Sequence, residues 1–428
     1  MIYFENGSDK TIISPQRLKE GLFEALDRIG AANKVLAIPP DFTRYHSKAG
    51  ELTAFAYDYY RSKLTHILPA LGTHTPMSSA EINRMFPGIP KKLFYVHNWR
   101  NDILPLGTVP TTFIKQVSGG RVHYDWTAQV NKLLVEGGFD LILSIGQVVP
   151  HEVTGMANYN KNIFIGTGGA EAINRSHYLG AVYGMENLMG KIENPVRQVL
   201  DYASNNLSDR LPMIIYVLTV IGRDIDGKQV VRGLFIGDDK ECFILASELS
   251  QRVNIELLDA PVEKTVVFLD PSEYKSTWLG NKAIYRARMA MADGGELVIL
   301  APGLGTFGED REIDRLIRKF GYRGTPATLE AVHSHPELQN NLSAAAHLIH
   351  GSSEERFQIT YCPGKLTEKE ILSVHFNFGD LKKMKKWYDP GKLKNGINRL
   401  PDGEELFYIS NPALGLWAVR ENMKTAMT

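Results

Sequence analysis

Cysteine is nearly absent: Cys242 and Cys362 are the only two in 428 residues, and they lie far apart in the chain. Neither a disulfide framework nor a four-cysteine zinc site can be built from them, and such usage fits a reducing compartment. Net charge is absent too. The 48 basic side chains balance 48 acidic ones, for a formal charge of zero, which argues against a chain built to coat nucleic acid or an anionic membrane. Long apolar runs are missing, since the longest mostly apolar stretch, Leu211 to Ile221, is too short to span a bilayer. The opening Met-Ile-Tyr-Phe-Glu-Asn-Gly-Ser-Asp-Lys lacks the basic start and apolar stretch of a signal peptide. No low-complexity tract and no repeat of solenoid period interrupts the chain. The expectation is a cytoplasmic protein with no nucleic-acid or membrane partner. Its 43% apolar content supports a substantial core, and its length suggests more than one domain.

Short β-branched runs recur, each followed by turn residues and a helical pattern. Strands are predicted at Lys34–Ile38, His66–Leu71, Leu93–His97, Asp140–Ile145, Asn162–Ile165, Met213–Val220, Thr265–Leu269, Glu296–Leu300, Phe357–Tyr361 and Glu405–Ile409. Runs of this length separated by helices predict parallel sheets covered on both faces. The expected fold class is α/β: two α/β domains with mainly parallel sheets and the active site in the cleft between them. Polar, Pro-containing stretches near Leu257–Glu263 and through Tyr388–Gly403 divide the chain into 1–262 plus 404–428 and 263–403. Ser78-Ser79-Ala80-Glu81 reads as a capping box. Asp293-Gly294-Gly295 reads as the end of the helix carrying Arg286 and Arg288, with a strand following at once.

In open α/β sheets, ligands gather at the carboxyl ends of the strands, and that rule ranks the polar residues. After Val35-Leu36-Ala37-Ile38 comes Pro39-Pro40-Asp41-Phe42-Thr43-Arg44. Asp41 is suited to accept from a ribose or substrate hydroxyl, and Arg44 to clamp a carboxylate in a bidentate fork; a turn aspartate beside a surface arginine is the plainer reading. After Ile67–Leu71 comes Gly72-Thr73-His74-Thr75-Pro76, with His74 just ahead of a capped helix N-terminus. There an imidazole tends toward its neutral form and can act as a base, although a capping histidine is the plainer alternative.

After Leu141–Ile145 comes Gly146-Gln147-Val148-Val149-Pro150-His151-Glu152, leading to Lys161 and then to Gly166-Thr167-Gly168-Gly169. Read as following a strand and opening a helix, that glycine cluster could hold a phosphate on its amides. Its spacing is neither a dinucleotide fingerprint, because the sixth residue from Gly166 is Glu171, nor a P-loop. His177 follows in the same helical stretch and is an exposed histidine by default. Lys282 and Arg286 share a helix face, where like charges repel mildly. A facing anion or carboxylate would explain them, and a solvated basic face is the commoner explanation. His333 and His335 point apart on a helix, and His347 and His350 could share a helix face, but no nearby carboxylate completes a site. No His-Glu-x-x-His, Gly-x-Ser-x-Gly or kinase motif is present. The candidates are an acid–base histidine pair, a lysine, a third histidine and two anion-binding cations. Such a set suits proton or hydride chemistry on a small anion and leaves the reaction open.

Five landmarks occur in one order: Asp41-x-Thr43-Arg44, Gly72-Thr73-His74-x-Pro76, His151 with Lys161 ten residues on, His177 sixteen after that, and Lys282 ahead of Asp293-Gly294-Gly295. In this order they resemble the lactate racemase family, enzymes that use the nickel-pincer nucleotide, and the resemblance runs over nearly the whole length. It implies an isomerase, a racemase or epimerase of a 2-hydroxyacid acting by reversible hydride transfer to a lysine-tethered cofactor. That cofactor is the Ni(II) pyridinium-3,5-bisthiocarboxylic acid mononucleotide. Lys161 matches the lysine whose amine forms the thioamide. His177 matches the histidine completing a square-planar nickel site of two sulfurs and one carbon. His74 and His151 match the two acid–base histidines, Arg44 and Lys282 the substrate-binding cations, and Asp41 a residue near the cofactor ribose. By the same resemblance 1–262 plus 404–428 is the cofactor-binding domain and 263–403 the substrate and closing domain. The implied partners are a small 2-hydroxyacid and the cofactor-synthesis proteins, without which purified protein is expected to lack the cofactor.

Three departures from the family stand out. The loop before the tethering lysine, where the family carries a Gly-Gly pair, reads Ala157-Asn158-Tyr159-Asn160. Leu279 replaces a glutamine three residues before Lys282, and no tryptophan occurs around Asn341–Ala345. The last two positions help the family hold lactate, so the expected substrate is another 2-hydroxyacid, larger or a sugar acid. Two readings from other classes compete: a divalent-metal hydrolase or lyase on a small anion, and a non-catalytic binder of sugar acids or nucleotides.

Overall fold

The computed structural model describes residues 1–424. It is a mixed α/β structure with mostly parallel sheets, and the chain divides into two units. The first is 1–179 with 188–254; the second is 180–187 with the chain from Ile255 onward.

The first unit is built on a six-stranded sheet in the order Ile2–Gly7, Gln229–Gly237, Met213–Arg223, Leu141–Gln147, Val35–Ile38, Leu64–Ile67. The last four run parallel and the first two add antiparallel at one edge. The parallel strands are short and apolar on both faces, as burial by covering helices requires. One cover is Pro15–Ile29, capped by the Ser14 hydroxyl, which accepts from the Arg17 amide, and burying Leu18, Leu22, Ala25 and Leu26. From Val35–Ile38 the chain steps out to Leu64–Ile67, then returns to Leu141–Gln147 on the other side of the Val35 strand. Strand order therefore reverses between Val35–Ile38 and Leu141–Gln147, and a crevice opens at such a reversal beyond the carboxyl ends.

Several predicted elements differ. Asn162–Ile165 is not a strand: Asn160–Phe164 is a short helix. Three consecutive apolar residues cannot distinguish the two, and the outcome is decided by Asn162, whose buried amide donates to the Ile38 carbonyl at 3.1 Å and the Ser144 hydroxyl at 3.0 Å. Leu93–His97 makes only an isolated parallel bridge, Phe94 to Ile67. The edge strands Ile2–Gly7 and Gln229–Gly237 and the hairpin Ile103–Val109 with Trp126–Asn131 were not expected. Gly166–Gly169 follows a helix, not a strand, and precedes the helix Ala170–Tyr183. Two of its amides are committed inward, Gly166 to the Lys161 carbonyl and Gly168 to that of Ile165. A Cβ on Gly168 would sit 1.9 Å from the Phe164 carbonyl oxygen, so close packing accounts for that glycine.

The second unit has its own six-stranded sheet in the order Asn377–Phe378, Gln358–Pro363, Met291–Ala301, Val262–Phe268, Glu405–Ile409, Gly396–Arg399, parallel except at the last pair. This corrects the placement of 404–428 with the first domain. Glu405–Ile409 lies inside the second sheet, and Leu416–Val419 pairs in parallel with Ile255–Leu258. Residues 425–428 of that range lie outside the described residues. The helix carrying Lys282 and Arg286 ends at Ala287, and Asp293-Gly294-Gly295 falls within the strand Met291–Ala301, which Gly294 bends at φ 81°. Arg286 is buried, with its guanidinium 3.3 Å from the Gly415 carbonyl, so the basic pair is not a solvated face. His347 is a core histidine, within hydrogen-bond distance of the Tyr322 hydroxyl and the Asn281 amide. Among the described residues no helix is long and apolar enough to cross a membrane.

Gly168→Ala tests the packing account. The Phe164 carbonyl belongs to a helix and cannot retreat, so the substitution is expected to destabilise the protein by about 1–3 kcal/mol, read as a lower thermal midpoint. An unchanged midpoint would contradict it.

Candidate functional site

Three loops leave the carboxyl ends of Val35–Ile38, Leu64–Ile67 and Leu141–Gln147, all within the first unit. The first two run side by side: the Ala70 amide donates to the Pro39 carbonyl at 2.8 Å, and Pro40 bridges Ala70. This brings Asp41 and His74 together. Asp41 caps the 3-10 turn Phe42–Ser47, with Oδ1 accepting from the Thr43 amide at 3.1 Å and from the Thr43 hydroxyl. Its Oδ2 lies 2.5 Å from Nδ1 of His74. Burial pushes the Asp41 carboxyl up, but the charge and hydrogen bond of His74, the Thr43 hydroxyl and the Arg44 charge together hold it below the usual carboxylate range. An ionised Asp41 takes a proton-bearing Nδ1, so in the neutral ring the His74 lone pair is on Nε2. Arg44 stands on the same turn, half-buried.

His151 follows the third strand, where Pro150–His151 pairs with Gly155–Met156. Its Nδ1 accepts from the Val153 amide at 3.1 Å, which leaves the proton of the neutral ring on Nε2. The Glu152 carboxylate is 3.7 Å from that same Nδ1. Gln147, the last residue of the strand, was not singled out by its position in sequence. It is 7% exposed, and its Oε1 is buried with no hydrogen-bond partner in the structure, an acceptor placed at the strand end where a ligand donor would be met.

Lys161 and His177 come from the connection that follows. Lys161 is on the helix that Asn162 ties to both strands at the reversal. Burial pushes its amine down to about 8, helped by the charges of Arg44 and Arg197 against those of Glu152 and Asp41. His177 donates from Nδ1 to the Ile173 carbonyl at 2.7 Å one helical turn back. Burial pushes this imidazole down to about 4, the backbone hydrogen bond opposing and Lys161 adding to the fall. The ring is therefore neutral near pH 7, with its lone pair on Nε2. The helix that carries Lys161 begins after Asn158 (φ 68°) and Tyr159 (φ 58°, ψ −137°), two consecutive residues of positive φ. Asparagine visits that region readily, whereas an aromatic residue there costs about 1–3 kcal/mol.

These observations test whether the chain suits the tethered nucleotide. Among the described residues no group of three or more His, Cys, Asp or Glu side chains is placed to hold a metal ion. His177 presents one imidazole with its Nε2 lone pair fixed, the single protein ligand that the resemblance implies for such a group. A depressed lysine amine is the form that attacks a thioacid carbon. The donor set fits. Lys282, the remaining candidate, opens the helix Lys282–Ala287 of the second unit, with Nζ 5.9 Å from the centroid of the Tyr274 ring.

Residues 23–189 match the family described as the lactate racemase N-terminal domain. Among solved structures, a protein from Thermotoga maritima is 25% identical, with a TM-score of 0.83 over 97% of this chain and 100% of that one. The lactate racemase apoprotein from Thermoanaerobacterium thermosaccharolyticum is 16% identical, with a TM-score of 0.67 over 97% of this chain and 94% of that one. No curated protein matches in sequence. The chain thus carries the signature of the lactate racemase N-terminal domain over residues 23–189 and, across nearly its whole length, a fold similar to that of lactate racemase.

Proposed function

We propose that the protein is a racemase or epimerase of a 2-hydroxyacid and that its working groups are those gathered beyond the three strand ends. The observation that carries this reading is the constellation itself. One unit holds a histidine backed by a buried aspartate, a second histidine, a depressed lysine amine and a histidine with its Nε2 lone pair fixed by its tautomer. Lys161 is the residue to which a nickel-pincer nucleotide would be joined and His177 its metal ligand. When bound, that group supplies a reversible two-electron acceptor for the α-hydrogen.

The rest is done by the chain. Arg44 binds the substrate carboxylate. His74 takes the hydroxyl proton on Nε2 while Asp41 stabilises the imidazolium that forms. Asp41 is thereby a positioning residue for His74, whatever contact it also makes with a ribose. His151 offers an Nε2–H to the substrate oxygen. To give up that proton without becoming an anion the ring must be charged, and Glu152 is the neighbouring counter-charge. The loss of the glutamine and tryptophan that hold lactate, together with the unpaired acceptor at Gln147, favours a substrate with more hydroxyl groups than lactate.

The reading is tested with enantiopure 2-hydroxyacids deuterated at Cα, supplied to protein made alongside the cofactor-synthesis proteins. Inversion with the label kept is expected; inversion with the label lost to water would mean proton abstraction and sink the hydride mechanism. Asp41→Asn is expected to lower kcat on the order of a hundredfold with little change in KM, because an amide no longer selects the Nδ1–H tautomer. Lys161 gives a pH signature in the cofactor-free protein. Burial pushes its amine down to about 8, below the ordinary lysine value, so between the two the unfolded chain binds more protons and stability rises with pH. Lys161→Met is therefore expected to raise the thermal midpoint at pH 7, with the gain shrinking as pH climbs past 8. A gain constant across that range would contradict the buried, depressed amine.

A further inference from the structure

Lys161 is reached through backbone that its own sequence should avoid. Asn158 and Tyr159 are consecutive residues of positive φ, Tyr159 with ψ −137°, and no glycine is there to make the conformation easy. Something must hold them, and one side chain grips both sides of the pair. Arg197, on the helix Pro195–Asn206, is 0% exposed. One guanidinium nitrogen donates to the Met156 carbonyl at 2.6 Å; the other donates to Asn160 Oδ1 and lies 3.4 Å from the Asn158 carbonyl. The Asn160 amide in turn donates to Asp201 and Ser204 on the same helix, at 2.7 and 3.1 Å. The Tyr159 ring is pinned as well, stacked on Phe243 at 5.1 Å and packed on Tyr216 at 4.4 Å, while the Arg197 guanidinium sits 4.3 Å from the Phe243 centroid.

The acceptors of Arg197 are carbonyl and amide oxygens, not carboxylates. Burying a guanidinium against neutral acceptors is a poor route to stability, since an apolar side chain of the same size would avoid the desolvation. What the guanidinium can do, and an apolar side chain cannot, is fix three acceptors around one strained turn.

We propose that Arg197 is a positioning residue for Lys161, holding Asn158 and Tyr159 in their positive-φ conformation so that the lysine is presented to the site. It replaces by grip the freedom that glycine would supply. The positive charge of Arg197 also helps to depress the Lys161 amine. The assignment rests on Lys161 being the tethering residue, so its test is made on cofactor-free protein.

The readout is the rate at which an N-hydroxysuccinimide ester acylates Lys161, located by peptide mass mapping and normalised to exposed lysines, with a thermal melt in parallel. In Arg197→Met the Lys161 rate is expected to fall at least about tenfold. Arg197→Lys, which keeps the charge but loses the fork, is expected to fall in between. The double variant Arg197→Met with Tyr159→Gly is expected to recover to within about threefold of the parent, because glycine takes a positive φ without strain. A purely structural arginine would not be rescued by a glycine at 159. A folded Arg197→Met that labels like the parent would overturn the proposal, and so would a double variant that folds without recovering. If Arg197→Met alone does not fold, the double variant is expected to; its failure to fold also overturns the proposal. Parent protein that labels rapidly at Lys161 yet inverts no 2-hydroxyacid when loaded would instead count against the functional reading and leave this assignment standing.

Discussion

The buried amide of Asn162 is the interaction on which the candidate site depends. It bonds at once to the end of the Val35 strand and to the side chain of Ser144 on the Leu141 strand, the two strands between which chain order reverses. A buried amide left without partners costs about 1–3 kcal/mol, so the short helix that contains it has one stable seat. Lys161 is on that helix. Gly168, in the link that follows, packs closely against the Phe164 carbonyl, and the helix after that link carries His177. One polar tether at the strand reversal thus sets the frame for the lysine and for the helix behind it.

Electrostatics then divides the roles. Asp41 is buried yet ionised because His74, Thr43 and Arg44 surround it, and its charge selects the tautomer of His74. His177 and Lys161 are depressed chiefly by burial, with Lys161 and His74 adding to the fall of the imidazole and Arg44 and Arg197 to that of the amine. Both are thereby biased toward the forms in which they carry a lone pair. Zero net charge over the whole chain conceals this local pattern. Under the proposed function, the attraction for a small anion would come from cations such as Arg44 near the strand ends, and the soft ligands a nickel ion prefers would come with the nucleotide rather than from Cys242 or Cys362, both of which are buried.

Much of this was legible in the sequence, for definite reasons. The rule that ligands gather at strand ends picked out Asp41, Arg44 and His151 because each follows a short apolar run that does form a parallel strand, and His74 because its run Ile67–Leu71 follows the parallel strand Leu64–Ile67, which ends earlier than read. The capping box at Ser78 is present as read. Lys161 and His177 needed the family resemblance, since neither carries a local signal. Three things were hidden. The helix at Asn160–Phe164 depends on hydrogen bonds to residues far away in sequence. The pairing of Glu405–Ile409 with Val262–Phe268 is equally non-local, and a composition shift at Gly403 does not reveal which sheet the next strand joins. The positive-φ turn at Asn158 and Tyr159 was masked because the usual signal, glycine, is missing, and its replacement, Arg197, stands far downstream.

The central claim is that these loops form a site in which Lys161 carries a covalently joined nickel-pincer nucleotide. Its most direct test is the intact mass of the protein made with and without the cofactor-synthesis proteins, followed by mapping of any added mass. The account requires a nucleotide-sized increase, located on Lys161 and present only when those proteins are supplied. A bare polypeptide under both conditions, or an adduct on another residue, would contradict it.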